Sequence, residues 1–227
     1  KDFCFNTSIQ NITPNYNKIL KSSLKELFYT DDECSNIFTE RYNSVLAGIK
    51  LFIERIVFAL DNKGMTKQAI WIRDIIYKPA LHFEEGLQRI LFLNQLLWQT
   101  KSRLVGLGRL DIDLCKLYQN DLNAGVITKE DAKIMIGDFL KILHRDYWFK
   151  SNALLGDTGQ VIIVGGLNKN GEYECNDLTY MFIDEVAKSN ASDPKIVLRV
   201  SEKMPRELMK SAVSCMSTGC GSPLLSN

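Results

Sequence analysis

Apolar residues in the first two thirds of the chain recur at the three- and four-residue spacing of amphipathic helices. This spacing predicts one helix from Pro14 to Phe28 and a second, longer helix that ends at Gly64. A third helix should stop before Pro79, and a fourth should begin at Phe83. Because the fourth helix is apolar on more than one side, we expect it to be buried.

Two more helices are predicted beyond Gly106. The first is short and reaches Leu122, and the chain then breaks at Gly125. Thr128 is a good N-cap for the next helix, and acidic residues fill that helix's first turn.

The last third of the chain alternates strands and helices. Such alternation implies right-handed crossovers and a mostly parallel sheet. The predicted elements are a strand over 160–165, a helix from Asn176, a strand over 196–200, a helix from Pro205 and an extended segment over 222–227. The fold class is therefore α/β. Residues 1–150 should form a helical layer and 151–227 the first strand–helix units, within one continuous, incomplete domain.

Glycines flank the first predicted strand in the segment LLGDTGQVIIVGGLNKNGEYECNDLTY, residues 154–180. Neither glycine-rich phosphate-binding motif occurs here, and Gly165 and Gly166 lead into a hairpin-like polar turn rather than a helix. A phosphate loop is therefore disfavoured. The simplest interpretation is a strand buried on both faces, with the glycines as turn residues.

Charge and composition exclude several classes of partner. The 227 residues carry 28 basic and 27 acidic side chains and a net charge of +1, so no electrostatic attraction for nucleic acid or an anionic membrane is expected. No apolar stretch has the length of a membrane span, and no signal peptide pattern is present, which predicts a cytoplasmic location. Because the chain begins with Lys1 rather than Met, we expect either a piece of something longer or a chain that has been trimmed.

The six cysteines are scattered without a C-x-x-C pair, as in reduced cytosolic proteins, and only two histidines accompany them. No metal site is expected. Cys220 is interpreted as an isolated thiol, and Cys115, Cys175 and Cys215 as small, half-buried hydrophobic residues.

Several segments, in order, resemble the glycyl radical enzymes of the pyruvate formate-lyase and glycerol/diol dehydratase family. The segments are NITPNYNKIL, KPALHFEEGLQRILF, GLGRLDIDLCKLYQNDLNAGVITKEDA, VGGLNKNGEYECNDLTYMF, PKIVLRVSEKMPRELM and STGCGSPLLSN. The resemblance implies that the chain is part of an α/β barrel. It also implies a lyase or dehydratase of anaerobic metabolism, which cleaves C–C or C–O bonds of a small oxygenated metabolite by thiyl radical chemistry.

The family's thiyl cysteine and radical glycine lie beyond the segments matched here, so the resemblance implies no catalytic residue in this chain. It implies no bound cofactor either, because an S-adenosylmethionine iron–sulfur activating enzyme installs the glycyl radical. Implied partners are a small-molecule substrate, that activating enzyme, and a missing C-terminal half or complementary chain; a homodimer is a further option. The alternative is a truncated, inactive homologue that acts as a binding or regulatory module.

The resemblance also implies site residues. Asn11 stands where the family usually has His or Arg, and Gln160 would add a second neutral hydrogen-bonding group for substrate. Gly165 and Gly166 would keep bulk away from the cavity wall. The alternatives are that Asn11 caps a helix, that Gln160 only opens the strand, and that the glycines are plain turn residues. Arg109 and Asp111 are interpreted as a structural clamp between helices.

Overall fold

The computed structural model describes residues 13–27, 37–99, 105–146, 160–191 and 193–227. These residues belong to two compact units. The helical unit lies within Asn17–Arg89, and the α/β unit combines Lys1–Tyr16 with Ile90–Asn227. Each unit is described by itself below.

The first five helices run from Tyr16 to Gln99. They are α1 (Tyr16–Lys21), α2 (Leu24–Leu27), α3 (Ile37–Asp61), α4 (Thr66–Asp74) and α5 (Phe83–Gln99). The prediction of a single helix from Pro14 to Phe28 is wrong, because the chain breaks between α1 and α2. Ser23 and Glu26 form a reciprocal cap at this break, in which Ser23 Oγ accepts the Glu26 N–H at 3.1 Å and Glu26 Oε2 accepts the Ser23 N–H at 2.8 Å.

Helix α3 packs against α4 through only part of its apolar stripe. Ile53 and Val57 are buried, whereas Tyr42 and Val45 of the same stripe are exposed. The spacing therefore predicted the helix correctly, but it could not tell which apolar positions would be covered.

A buried ion pair anchors the helical unit. The guanidinium of Arg89 is 1% exposed and donates to Glu85 Oε1 at 3.3 Å and to the Lys78 and Ser22 carbonyls at 2.9 and 3.1 Å. Glu85 Oε2 accepts the Leu81 N–H at 2.8 Å, just before α5 begins. Arg89 thus ties three chain segments together. The prediction that α5 is buried is confirmed, but its buried face includes a charged pair that the apolar pattern did not indicate.

Five further helices lie in the described residues of the α/β unit. They are α6 (Leu110–Asp113), α7 (Cys115–Asn123), α8 (Lys129–Asp146), α9 (Asp177–Ser189) and α10 (Arg206–Met216). Thr128 caps α8 as predicted: its Oγ1 accepts the Asp131 N–H at 3.1 Å, and Asp131 Oδ2 accepts the Thr128 N–H at 2.9 Å.

Three parallel strands form the sheet in the order β1-β2-β3, which confirms the α/β class. The strands are β1 (Val161–Val164), β2 (Lys195–Arg199) and β3 (Leu224–Ser226). Ile162 lies beside Ile196, and Val197 lies beside Leu224. On the other side of β1, Gly108 makes an isolated parallel bridge to Ile162. The described strands form a small open sheet, not a closed barrel.

The core of the α/β unit lies on one face of this sheet. Ile162, Val164, Ile196 and Leu198 are fully buried, together with Phe182 of α9. Val161, Ile163 and Val197, which alternate with them, are only partly covered. The expectation that β1 is buried on both faces is therefore met on one face only among the described residues.

Candidate functional site

Gln160 stands immediately before β1 and is completely buried. Its Nε2 donates to Asp193 Oδ2 at 3.4 Å, and its backbone carbonyl accepts the Lys195 N–H at 2.9 Å. Its Oε1 is buried without a hydrogen-bond partner among the described residues. A buried amide oxygen of this kind is costly unless something else satisfies it, so Gln160 has one free acceptor for a donor group.

Of the other predicted site residues, the structure describes Gly165 and Gly166. Asn11 lies outside the described residues. Gly165 and Gly166 follow the carboxyl end of β1, whereas Gln160 precedes its amino end. At a rise of about 3.3 Å per residue, Gln160 and Gly165 are roughly 16 Å apart along the strand. The described residues therefore do not bring the predicted substrate-binding and cavity-wall positions together.

The two glycines make room for side chains of the fold itself. Gly165 has φ +65°, and a Cβ there would lie 2.5 Å from the Tyr173 hydroxyl and 3.1 Å from Leu198 Cδ1. Gly166 has φ +113°, and a Cβ there would lie 3.0 Å from Arg199 Cβ. The Tyr173 hydroxyl donates to the Arg199 carbonyl at 2.6 Å, which fixes the ring against this turn. Both positions thus require glycine for conformation and for space. The cavity-wall role stays a prediction.

A buried carboxylate organises the same end of β1. Asp111 of α6 is 0% exposed, and its Oδ2 accepts the Gly165 N–H and the Thr179 hydroxyl, each at 2.8 Å. Within the part of the chain that the structure describes, its Oδ1 is buried without a hydrogen-bond partner, 3.9 Å from Arg109 Nε. One side chain thereby joins α6, the Gly165–Gly166 turn and the first turn of α9.

Asn176 connects the start of α9 to this cluster. Its Oδ1 accepts the Leu178 N–H at 2.8 Å, and its Nδ2 donates to the Asp111 carbonyl at 2.8 Å. The Asn176 N–H donates to Thr179 Oγ1 at 3.0 Å, which completes a capping box. The predicted helix start at Asn176 therefore also serves as a link to α6.

Arg109 completes the cluster from the surface side. Its Nη1 lies 3.4 Å from Glu174 Oε2, while its Nε and Nη2 are buried and have no hydrogen-bond partner in the described ranges. The sequence indicated an Arg109–Asp111 clamp between helices. The contact between the two residues is long, and the short contacts of Asp111 reach the end of β1 and the N-terminus of α9 instead.

Burial dominates the electrostatics of this cluster. Desolvation raises the pKa of Asp111 above its ordinary value, although the Gly165 N–H, the Thr179 hydroxyl and Arg109 all oppose the rise. Burial, followed by the Asp111 carboxylate, also raises the pKa of the nearby Cys115 and Cys175 thiols. Thiols in this state are poor nucleophiles. The cluster is therefore suited to holding the backbone in place rather than to nucleophilic chemistry.

Within the described ranges, no cluster of three or more His, Cys, Asp or Glu side chains is arranged to hold a metal ion. None of the helices in that part of the chain has the length and hydrophobicity needed to cross a bilayer.

Comparison with known proteins shows the family to which this chain belongs. Residues 61–227 match the pyruvate formate lyase-like family, and the chain belongs to that family. Among curated relatives, the chain is 24% identical over 180 residues to the 4-hydroxyphenylacetate decarboxylase glycyl radical subunit of Clostridioides difficile. The match covers 76% of this chain and 20% of that protein.

Solved structures share the fold over almost the whole chain. A structure concerned with 1,2-propanediol dehydration in Roseburia inulinivorans matches with a TM-score of 0.78 and 20% identity, over 96% of this chain and 30% of that one. The glycerol-bound B12-independent glycerol dehydratase from Clostridium butyricum matches with a TM-score of 0.78 and 18% identity, over 97% of this chain and 31% of that one. The mixed helical and parallel-strand architecture is thus that of glycyl radical enzymes. The chain spans about a fifth of the length of the curated relative and under a third of these solved chains.

Proposed function

We propose that this chain is part of a glycyl radical enzyme that cleaves a C–C or C–O bond of a small oxygenated metabolite by thiyl radical chemistry. The observation that carries the proposal is membership of the pyruvate formate lyase-like family over residues 61–227. The thiyl cysteine and the radical glycine are proposed to lie in the rest of the enzyme, so that no catalytic residue comes from this chain.

The contribution of this chain would be part of the wall around the reaction. Radical intermediates survive only where water and stray hydrogen donors are excluded. The buried core of β1 and β2, packed with Phe182 of α9, and the fixed turn at Gly165 support such a role because they hold this part of the wall rigid.

The substrate is proposed to be a neutral polyol or another neutral oxygenated molecule. Asn11 would supply hydrogen bonds but no positive charge, and the free Oε1 of Gln160 would accept from a hydroxyl. A carboxylate without a cationic partner in a dry cavity would lose on the order of several kcal/mol, which corresponds to a thousand-fold or more in binding.

The substrate proposal is tested on the native, full-length protein that carries this chain. Binding of glycerol and of pyruvate is measured before and after Asn11→Arg, with Asn15→Arg as a nearby control. Asn11→Arg should weaken glycerol binding and strengthen pyruvate binding, and the control should change neither. If the native protein binds pyruvate tightly and Asn11→Arg changes neither affinity, Asn11 is only a helix-end residue.

The alternative is an inactive, truncated homologue that acts as a binding or regulatory module. The mass of the native polypeptide separates the two proposals. A species several times heavier than the 25.9 kDa of this chain supports the enzyme, whereas a native species of 25.9 kDa supports the module.

Partners and location complete the proposal. The enzyme would work in the cytoplasm and depend on an S-adenosylmethionine iron–sulfur activating enzyme for its radical. The remainder of the barrel, supplied by the missing C-terminal half or by a complementary chain, would cover strand β3, whose Leu224 and Leu225 are half exposed. A homodimer would be compatible with this arrangement.

A further inference from the structure

Two cysteines meet in the core at the end of α10. Cys215 and Cys220 are 2% and 5% exposed, and their sulfur atoms lie 3.7 Å apart. Each Sγ also lies close to the Ser222 carbonyl, at 3.3 Å from Cys215 and 3.4 Å from Cys220. The sequence indicated a Cys220 thiol without a histidine or basic partner nearby, and it did not indicate this contact with a second cysteine. The spacing C-x-x-x-x-C does not predict the contact between the two sulfur atoms, because that contact depends on how the helix ends.

The turn after α10 creates this contact. Helix α10 ends at Met216, and hydrogen bonds from Thr218 N to the Cys215 carbonyl (3.1 Å) and from Gly219 N to the Met216 carbonyl (3.1 Å) reverse the chain. Gly219 and Gly221 have φ +80° and +72°, so glycine is favoured on both sides of Cys220. The backbone of the turn thus points the Cys220 side chain back at Cys215.

The separation of the sulfurs is close to what a covalent bond requires. A disulfide has an S–S distance of about 2.05 Å, so the two atoms need to approach by roughly 1.7 Å. Side-chain rotation and a small shift of the turn can supply such a movement, since residues 217–219 and 221 are exposed. By contrast, the described cysteines Cys115 and Cys175 are free thiols that are only partly buried.

We propose that Cys215 and Cys220 form a redox-active dithiol that closes to an intramolecular disulfide when a small-molecule disulfide, such as oxidised glutathione, is the oxidant. One protein thiolate attacks the oxidant, forms a mixed disulfide and releases one molecule of reduced glutathione. The second thiolate then attacks the protein sulfur of the mixed disulfide and releases another. The protein loses two hydrogen atoms, and the oxidant gains them as two thiols.

Burial sets the order and the rate of these steps. Desolvation raises the pKa of the Cys215 thiol to about 12, so Cys215 is almost entirely protonated at neutral pH. We assign the first attack to Cys220 because it lies in the turn between exposed residues, which can open locally. Closure would fix the segment that carries Ser222, whose hydroxyl accepts the Ile196 N–H of β2 at 3.2 Å.

The test follows both thiols in one peptide. The native protein is equilibrated anaerobically with mixtures of reduced and oxidised glutathione, quenched with acid, denatured, alkylated with N-ethylmaleimide and digested with trypsin. Lys210 is the last basic residue of this chain, so both cysteines fall in the peptide that begins at Ser211. We expect this peptide to become lighter by two hydrogen atoms and free of maleimide, while Cys115 and Cys175 remain alkylated.

The equilibrium constant distinguishes a positioned pair from two thiols that are merely close in sequence. We expect closure in the native protein to be favoured at least about tenfold over closure in a synthetic peptide of residues 211–227, a difference near 30 mV. Cys175→Ser should behave as the native protein, whereas Cys220→Ser should abolish closure. The proposal is overturned if the folded protein keeps both thiols free, stops at a glutathione adduct, or closes no more readily than the peptide.

Discussion

The backbone N–H of Gly165 donates to the buried carboxylate of Asp111 at 2.8 Å, which joins the carboxyl end of β1 to helix α6. The same carboxylate accepts the Thr179 hydroxyl at 2.8 Å, so the first turn of α9 is fixed to the same point. The turn that holds Gly165 and Gly166 is therefore positioned by a residue that lies more than fifty positions earlier in the chain.

Gly165→Ala should destabilise the protein more than a glycine substitution in open space. Alanine at φ +65° is strained by about 1–2 kcal/mol, and its Cβ would also lie 2.5 Å from the Tyr173 hydroxyl. Gly125→Ala is the matched control. Its φ is +68°, and the added Cβ would have no heavy atom of the described structure within 4 Å beyond its chain neighbours. In urea unfolding, Gly165→Ala should lower the free energy of unfolding by at least about 1 kcal/mol more than Gly125→Ala does.

Tyr173→Phe provides the second half of this test, because it removes the hydroxyl that the new Cβ would meet. In the double variant, Gly165→Ala should cost less than it does alone. The crowding would be unimportant if Gly165→Ala and Gly125→Ala lowered the free energy of unfolding equally. The same would follow if the effects of Gly165→Ala and Tyr173→Phe simply added in the double variant.

Asp111→Asn should change how stability depends on pH. Burial raises the folded-state pKa of Asp111 above its unfolded value of about 3.9, so the folded state binds this proton more tightly. The contribution of Asp111 to the free energy of unfolding is therefore most favourable at acid pH and falls as pH rises through the folded-state pKa. Urea titrations at a series of pH values should therefore show the stability of the wild type relative to Asp111→Asn declining as pH rises from about 3.9 through the folded-state pKa.

Asp131→Asn is the control of opposite sign. Hydrogen bonds from the Thr128 side chain and backbone lower the pKa of Asp131, so its contribution is lost as pH falls through the folded-state pKa. A wild-type advantage over Asp111→Asn that grows with rising pH would contradict the assignment of Asp111 as a desolvated carboxyl.

Arg89→Met should be among the most damaging single substitutions in the helical unit. It removes the donor to Glu85 and to the carbonyls of Ser22 and Lys78, and it leaves a buried carboxylate without its cation. The expected loss is about 3–5 kcal/mol in the free energy of unfolding. Arg73→Met, which breaks an exposed pair with Asp61, should cost less than about 1 kcal/mol. Similar losses for the two variants would refute the anchoring role of Arg89.

The sequence was sufficient for much of the fold because the informative signals are local. The 3.6-residue period located the long helices, Thr128 and Asn176 marked helix starts, and alternation of strands and helices in the last third predicted a parallel sheet. The break at Ser23 was missed because a capping pair inside an apolar pattern interrupts the helix without changing its period. The division at residue 150 stays a prediction, since residues 147–159 lie outside the described part.

The candidate site was less predictable because it depends on contacts between distant segments. The role of Asp111 rests on Gly165 and Thr179, and the partner of Cys220 appears only when α10 ends in a left-handed turn. The crowding around Gly165 comes from Tyr173, on the far side of a hairpin. Spacing suggested that glycine was needed at this position, but not which atom required the space. The roles of Asn11 and Gln160 toward substrate stay predictions.

The most direct test of the central proposal is electron paramagnetic resonance of the native, full-length protein after anaerobic treatment with an S-adenosylmethionine iron–sulfur activating enzyme. We expect a stable carbon-centred radical whose hyperfine pattern changes when the protein is made with glycine deuterated at Cα, because the unpaired electron couples to that hydrogen. The isolated 227-residue chain, treated in the same way, should give no signal. The absence of any radical from the full-length protein, while a known glycyl radical enzyme is activated by its own activating enzyme under the same conditions, would contradict the proposal.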